Sequence, residues 1–284
     1  MIKKILLSIL ITLLTFSIQA EEKTYQMVFV PASEKGDESD YKTLISITEK
    51  LTGFKIETIK VTDYNAAVEA MRAGRAHIAW YGGKTYVKAA EIAQAEAFAA
   101  GVRPGEKDAG YYTYFVVKKD SKIKKFDQVK GKVLSLNTIG STSGDLIPQV
   151  ELSKINLSIK NKDHFKNVFY AGSHDACLLA VINNQSDVCG MSSRNFEARL
   201  KDKTFKNEDV RIIHKSDRVP PPPLAYSKMI PIEDREIIKK AVLEAHKHGE
   251  IGGYGGKMSH YMEVKDSDYN VLREVIELLN KSKI

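Results

Sequence analysis

The sequence predicts an α/β protein of two lobes, each built on its own sheet. Short apolar runs alternate with helical patterns from residue 24 onward, the rhythm of strand–helix units and mainly parallel sheets. The pattern runs through residues 24–119 and begins again at 131. The composition, 43% hydrophobic and 28% charged over 284 residues, is that of a globular chain long enough for one or two domains.

The first twenty residues stand apart. "MIKK" is a basic start, and "ILLSILITLLTFSI" is an apolar run of about fourteen residues, shorter than a membrane-spanning helix needs. "QA" then meets the polar "EEK", so residues 1–20 read as a secretory signal peptide cut after Ala20, although Ile18 is larger than the residue usual three positions before a cut. No Cys lies near the cut to carry a lipid. The exported chain is then expected in the periplasm.

In the first block, 24–32 ("TYQMVFVPA") reads as a strand and 37–53 as a helix with acidic residues at its start and Gly53 at its end. Residues 54–61 alternate like a strand. "TDYNAAVEAMRAGR" is a helix capped at Thr62/Asp63 and stopped at Gly74. "HIAWYGG" is a short strand, "KTYVKAAEIAQ" a helix, and 111–119 a β-rich run.

The second block repeats the order. Strands are expected at 131–136, 168–172, 187–191 and 209–216; helices at 143–153, with Pro148 inside it, at 173–185 and at 193–200. A proline run, 220–223, precedes "LAYSK", and helices over 233–247 and 267–281 close the chain. The expected division is a first lobe over 21–115 and 214–284 and a second over 116–213. Two crossings between them would serve as hinge strands around a ligand cleft.

The formal charge is +7, or +5 without Lys3 and Lys4. It is spread along the chain, and runs such as "KIKK" at 122–125 read as solvated faces, so nucleic-acid binding is not expected. The two cysteines, Cys177 and Cys189, fall on a helix and the following strand, where a disulfide is possible but not required. Two cysteines alone make a poor metal site, and neither metal nor cofactor is expected.

In α/β sheets ligands sit beyond the carboxyl ends of strands, and three turns there carry unusual residues. "LSLNTIGSTSGDL" puts Ser141, Thr142 and Ser143 ahead of Gly144 where a strand hands over to a helix. Hydroxyls at a helix N-terminus offer an anion neutral donors and a favourable dipole; ordinary capping would account for one of them. "YAGSHDACLL" places His174 in the first turn of a helix, beside a capping Ser173 and an Asp175 that matches the dipole. "HIAWYGGKTY" offers Tyr81 near Trp80, Thr85 and Tyr86, and Tyr64 stands at another helix start; core packing is the plainer reading of any one tyrosine. "GGYGGKMS" at 252–259 mimics a phosphate-binding loop, but Ile251 and Met258 break the pattern, so it reads as a flexible turn. No G-x-S-x-G or HExxH motif occurs and Ser141 has no base beside it in sequence, so no catalytic residue is assigned, although His174 could reach Ser141 in space.

Taken together, "TDYNAAVEAMRAGRAHIAWYGG", "GSTSG" and "AGSHDACLLAVINNQSDV" resemble the periplasmic phosphate/phosphite/phosphonate-binding proteins of ABC importers, in order and spacing over nearly the whole exported chain. The resemblance implies a type II periplasmic binding protein fold, a two-lobed flytrap that holds a tetrahedral phosphorus oxyanion. It implies that Ser141, Thr142, Ser143 and His174 hold the oxygens and that Tyr64 and Tyr81 close the pocket. It implies a monomeric solute-binding component handing its ligand to an inner-membrane permease and its ATPase. Members that take aminoalkyl phosphonates are expected to offer carboxylates after the "DV" strand and near the hinge. Here those places read "GMSSRN" and "VPPPPL", so phosphate, phosphite or a small alkylphosphonate fits better. "WYGG" stands where the family more often shows aromatic-Gly-Pro. Alternatives are an oxyanion-sensing protein for a membrane sensor, one for arsenic oxyanions through Cys177, and a secreted phosphoesterase-like enzyme using Ser141 and His174.

Overall fold

A computed structural model describes residues 23–33 and 37–281; the expected signal segment and its cut lie outside the described residues. The first lobe begins with β1 (Thr24–Phe29), α1 (Asp37–Thr52), β2 (Lys55–Ile59), α2 (Tyr64–Arg72), β3 (Ile78–Trp80), α3 (Gly83–Ile92) and β4 (Ala95–Val102). The second lobe holds β5 (Thr113–Lys118), β6 (Val133–Leu136), α4 (Ile147–Lys154), β7 (Asn167–Tyr170), α5 (His174–Ile182), β8 (Val188–Ser192), α6 (Ser193–Lys201) and β9 (Val210–Lys215). The chain returns to the first lobe through β10 (Leu224–Ser227), α7 (Ile232–Glu244), the hairpin β11 (Ile251–Gly253) and β12 (Gly256–Met258), β13 (His260–Glu263) and α8 (Asn270–Lys281).

The first sheet runs β13-β4-β10-β3-β1-β2 and the second β7-β6-β8-β5-β9. Both are mixed, where mainly parallel sheets were expected. The strand–helix repeats do pair in parallel, β1 with β2 and β3, and β6 with β7 and β8. The first strand after each crossing, β5 in the second sheet and β10 in the first, runs against both of its neighbours, and β13 runs against β4, because a chain that crosses from one lobe enters the other lobe's sheet in the opposite sense. The two crossings touch at Tyr111 and Val219, each donating its N–H to the other's carbonyl, at 3.2 and 2.8 Å.

Local chemistry sets the helix ends. Asp63 caps α2 by accepting the Ala66 N–H at 2.9 Å, and Gly53 and Gly74 follow α1 and α2 at φ 70° and 68°, a region open to glycine at little cost. Pro148 does not break the expected helix at 143–153. Residues Thr142–Leu146 form one wide π turn and α4 starts after it, so Pro148 lies in the first turn of α4. The carbonyl of Gly144, four residues before the proline, accepts the Asn137 N–H instead, at 2.9 Å.

Strand β4 has no counterpart among the expected elements. "AEAFAAGV" is poor in β-formers, yet it lies between β10 and β13 and is almost wholly buried. Small residues suit a strand covered so closely: a Cβ on Gly101 would lie 2.8 Å from Met258 Sδ. The cores follow the strand alternation. In the second lobe, Phe115 and Val117 pack with Leu134, Leu136 and Leu152 on one face, while Val116 packs with Leu178, Val181 and Met191 on the other. Helices α7 and α8 return to the first lobe, with Ile238, Val242 and Leu272 in its core. Cys177 and Cys189 form a disulfide that ties α5 to β8.

Candidate functional site

A small cavity lies where the lobes meet. Ala32, Tyr64, Trp80 and Gly82 line it from the first lobe, and Ser141, Thr142, Ser143 and His174 from the second. Tyr111 and Pro222 enter from the crossings, and Tyr254 from the turn between β11 and β12. The cavity leaves room for about one water molecule. Its polar lining is neutral: no Lys, Arg, Asp or Glu stands among the described lining residues.

The three hydroxyls have separate tasks. Ser141 Oγ accepts the Gly144 N–H at 3.1 Å and the Asn137 amide at 3.2 Å. With both acceptor positions used, its proton remains to be donated. Thr142 Oγ1 accepts the backbone N–H of Lys84, from the first turn of α3 in the opposite lobe, at 2.9 Å. Ser143 and Thr142 also hydrogen-bond to the phenol of Tyr111, whose burial raises its pKa while those bonds partly offset the rise. The wide turn sends the Ile147 N–H back to Thr142 O and the Leu146 N–H to Ser141 O. The leading amides of the turn have no carbonyl behind them to meet.

Gly144 is required by close approach. A Cβ there would lie 2.3 Å from Asn137 Cβ and 2.9 Å from His174 Cε1. Its bareness lets the turn pack against β6 and lets the imidazole lie beside Ser141. Gly82 does the same across the cleft, where a Cβ would lie 3.1 Å from Thr142 Oγ1.

His174 is 1% exposed. Its Nδ1 accepts the Ser192 N–H at 3.3 Å, which leaves Nε2 as the N–H of a neutral ring. Burial lowers its pKa from 6.5 to about 3, so it acts as a neutral donor, not the imidazolium that the sequence left open. Its own backbone N–H donates to Ala32 O in the other lobe, at 3.2 Å. Asp175 turns away from the cavity to pair with Arg199 at 3.2 Å.

The cavity can thus surround a small anion with hydroxyl, imidazole and peptide donors, without a fixed positive charge. The matching family model spans residues 27–269 and describes the periplasmic phosphonate substrate-binding proteins of ABC transporters. The chain belongs to that family. It is 31% identical over 186 residues to the phosphonates-binding periplasmic protein of Escherichia coli K12, a match covering 63% of this chain and 53% of that one. It is 28% identical over 205 residues to the phosphate-import protein PhnD of Mycolicibacterium smegmatis, covering 69% and 64%. These matches span between half and two thirds of the curated relatives. The fold also superimposes on PhnD1 of Prochlorococcus marinus, solved with methylphosphonate, with a TM-score of 0.77 at 19% identity, over 92% of this chain and 99% of that one.

Within that family fold, five of the six residues singled out from sequence come together: Ser141, Thr142, Ser143, His174 and Tyr64, whose hydroxyl accepts from the Asn137 amide at 3.4 Å. Tyr81 does not join them. It follows Trp80, and successive side chains of an extended segment point opposite ways. Trp80 faces the cavity, while the Tyr81 hydroxyl donates to Ala67 O at 3.3 Å inside the first lobe. Cys177 is held in the disulfide and does not line the cavity, so the arsenic-sensing alternative loses its thiol.

Sequence reasoning missed Trp80, Tyr111 and Tyr254. Tyr111 had a signal, its place at a crossing. Tyr254 was hidden in the glycine-rich stretch set aside as a flexible turn, which is an ordered hairpin. A Cβ on Gly252 would lie 2.1 Å from Asp40 O, so the glycines let the hairpin press on α1. Tyr254 packs against Trp80 at a tilt, with ring centres 4.7 Å apart, and its hydroxyl donates to Asn195 Oδ1. The buried Trp80 Nε1 has no hydrogen-bond partner among the described residues.

Proposed function

We propose that this protein captures a small tetrahedral phosphorus oxyanion (phosphate, phosphite or a short alkylphosphonate) between its lobes and passes it to an inner-membrane ABC permease driven by an ATPase. The carrying observation is the neutral donor set, Ser141, Thr142, Ser143 and His174, brought together where the lobes meet. Such a site selects by matching donors to ligand oxygens, and each unmatched buried group costs roughly 1–3 kcal/mol. Tyr64, Trp80, Tyr111 and Tyr254 form the aromatic part of the wall. The relatives point the same way: one is named for phosphonates, one for phosphate import, and one was solved with methylphosphonate.

The segments expected to carry carboxylates in aminoalkylphosphonate binders contribute only Pro222 to the lining. An ammonium group would enter with no counter-ion, at a high desolvation cost. Ser141 and His174 are engaged with Gly144 and Asn137 and with Ser192, an arrangement for holding a ligand rather than for a nucleophile and its base. On this reading the protein works as a periplasmic monomer, exported by a signal peptide over residues 1–20. The test is calorimetric titration with phosphate, phosphite, methylphosphonate and 2-aminoethylphosphonate. Tight binding of at least one of the first three is expected, with the aminoalkyl compound much weaker. Binding of none, or preference for the aminoalkyl compound, would refute the reading.

A further inference from the structure

Beside the cavity the lobes share a charge pair that does not line it. Asp145 directly follows the Ser141–Gly144 turn and is 1% exposed. Three donors of its own lobe hold its carboxylate: the Gly140 N–H at 3.1 Å, Gln149 Nε2 at 2.7 Å and the Tyr170 hydroxyl at 2.7 Å. The fourth comes from the other lobe, Lys84 Nζ at 2.5 Å. The same Lys84 donates its backbone N–H to Thr142 Oγ1, and the adjoining Thr85 hydroxyl donates to Gly140 O at 2.9 Å.

A buried carboxylate within one turn of an anion site works against it. It draws on the same helix end and repels the incoming charge. Neutral donors satisfy its oxygens without cancelling that charge. Lys84 cancels it, and Lys84 belongs to the lobe that must swing in.

Building on the anion-capture reading, we propose that Lys84 is a positioning residue for ligand capture. On closure its ammonium neutralises Asp145 and its N–H fixes the Thr142 hydroxyl, so the movement that encloses the anion also removes the repulsion beside it. Lys84 acts through Asp145 and Thr142 rather than on the ligand. Because the pair forms between lobes, it favours the closed state, and a ligand that prefers that state binds more tightly in proportion.

The test titrates wild type, Lys84→Met, Lys84→Arg and the double variant Lys84→Met/Asp145→Asn with inorganic phosphate, phosphite and methylphosphonate, and follows closure by small-angle X-ray scattering. Lys84→Met keeps the stem and the backbone N–H but leaves Asp145 charged, and is expected to weaken binding roughly tenfold or more. Lys84→Arg, which keeps the charge, should stay close to wild type. Adding Asp145→Asn to Lys84→Met should recover most of the loss, a rescue that a merely structural lysine would not show. Unchanged affinity in Lys84→Met, or no recovery in the double variant, overturns the proposal. Should wild type bind none of these anions, the capture reading fails and scattering alone decides: a larger radius of gyration in Lys84→Met, reversed in the double variant, supports the pairing role, and equal radii overturn it.

Discussion

His174 makes folding stability depend on pH in a way that can be calculated. The ring is buried against Gly144 and bonded to the Ser192 N–H, and desolvation holds its pKa near 3 against an ordinary 6.5. The folded-state value is the lower one, so below pH 6.5 the unfolded chain takes up a proton that the folded chain refuses. Stability from this residue is complete above 6.5 and is lost as pH falls from there toward 3, at about 1.36 kcal/mol per pH unit. Between pH 7.5 and 5.0 the loss comes to about 2 kcal/mol. In His174→Asn the amide oxygen can stand in for Nδ1 while nothing at that position titrates. Urea denaturation of ligand-free wild type and variant at both pH values isolates the effect, because every other titrating group is common to both. Wild type should lose about 2 kcal/mol more than the variant. Parallel losses would mean that the imidazole takes up its proton in the folded protein as readily as in the unfolded one, and the argument for a neutral donor would fall.

Three further outcomes follow from the same geometry. Thr142→Ala removes a hydroxyl that lines the cavity and accepts the Lys84 N–H, and should weaken phosphorus-oxyanion binding about 5- to 150-fold by calorimetry. Gly144→Ala places a methyl group 2.3 Å from Asn137 Cβ, and should lower thermal stability by about 1–3 kcal/mol while also weakening binding. Loss of the Cys177–Cys189 disulfide, which spans a sequence separation of 12, should cost about 3 kcal/mol, seen as a lower melting temperature in Cys177→Ala/Cys189→Ala.

Much of the donor set was legible because it is local. Ser141, Thr142, Ser143 and His174 sit at helix starts that follow strands, and a capping position needs only a few consecutive residues to define it. Tyr81 shows where locality ends. "WYGG" announces aromatics at a strand end, but which of two neighbours faces the cleft depends on the pleat, and there Trp80 took the place. Tyr254 shows it more strongly: in sequence it lies more than one hundred residues from Ser141, in a stretch whose glycines suggest mobility. Those glycines instead let a hairpin approach α1 closely enough to deliver the ring.

By itself the sequence determined the α/β alternation, most helix ends and the hydroxyl-rich turn, since each follows from the periodicity and capping chemistry of a short segment. Only the tertiary structure decided that the sheets are mixed, that an alanine-rich segment is a strand deep in the first lobe, that the cysteines are joined, and that Lys84 meets Asp145 across the cleft. Those outcomes depend on which segments, distant along the chain, come to lie side by side. Burial, pairing sense and charge neutralisation belong to such neighbourhoods, and no single stretch of residues specifies them.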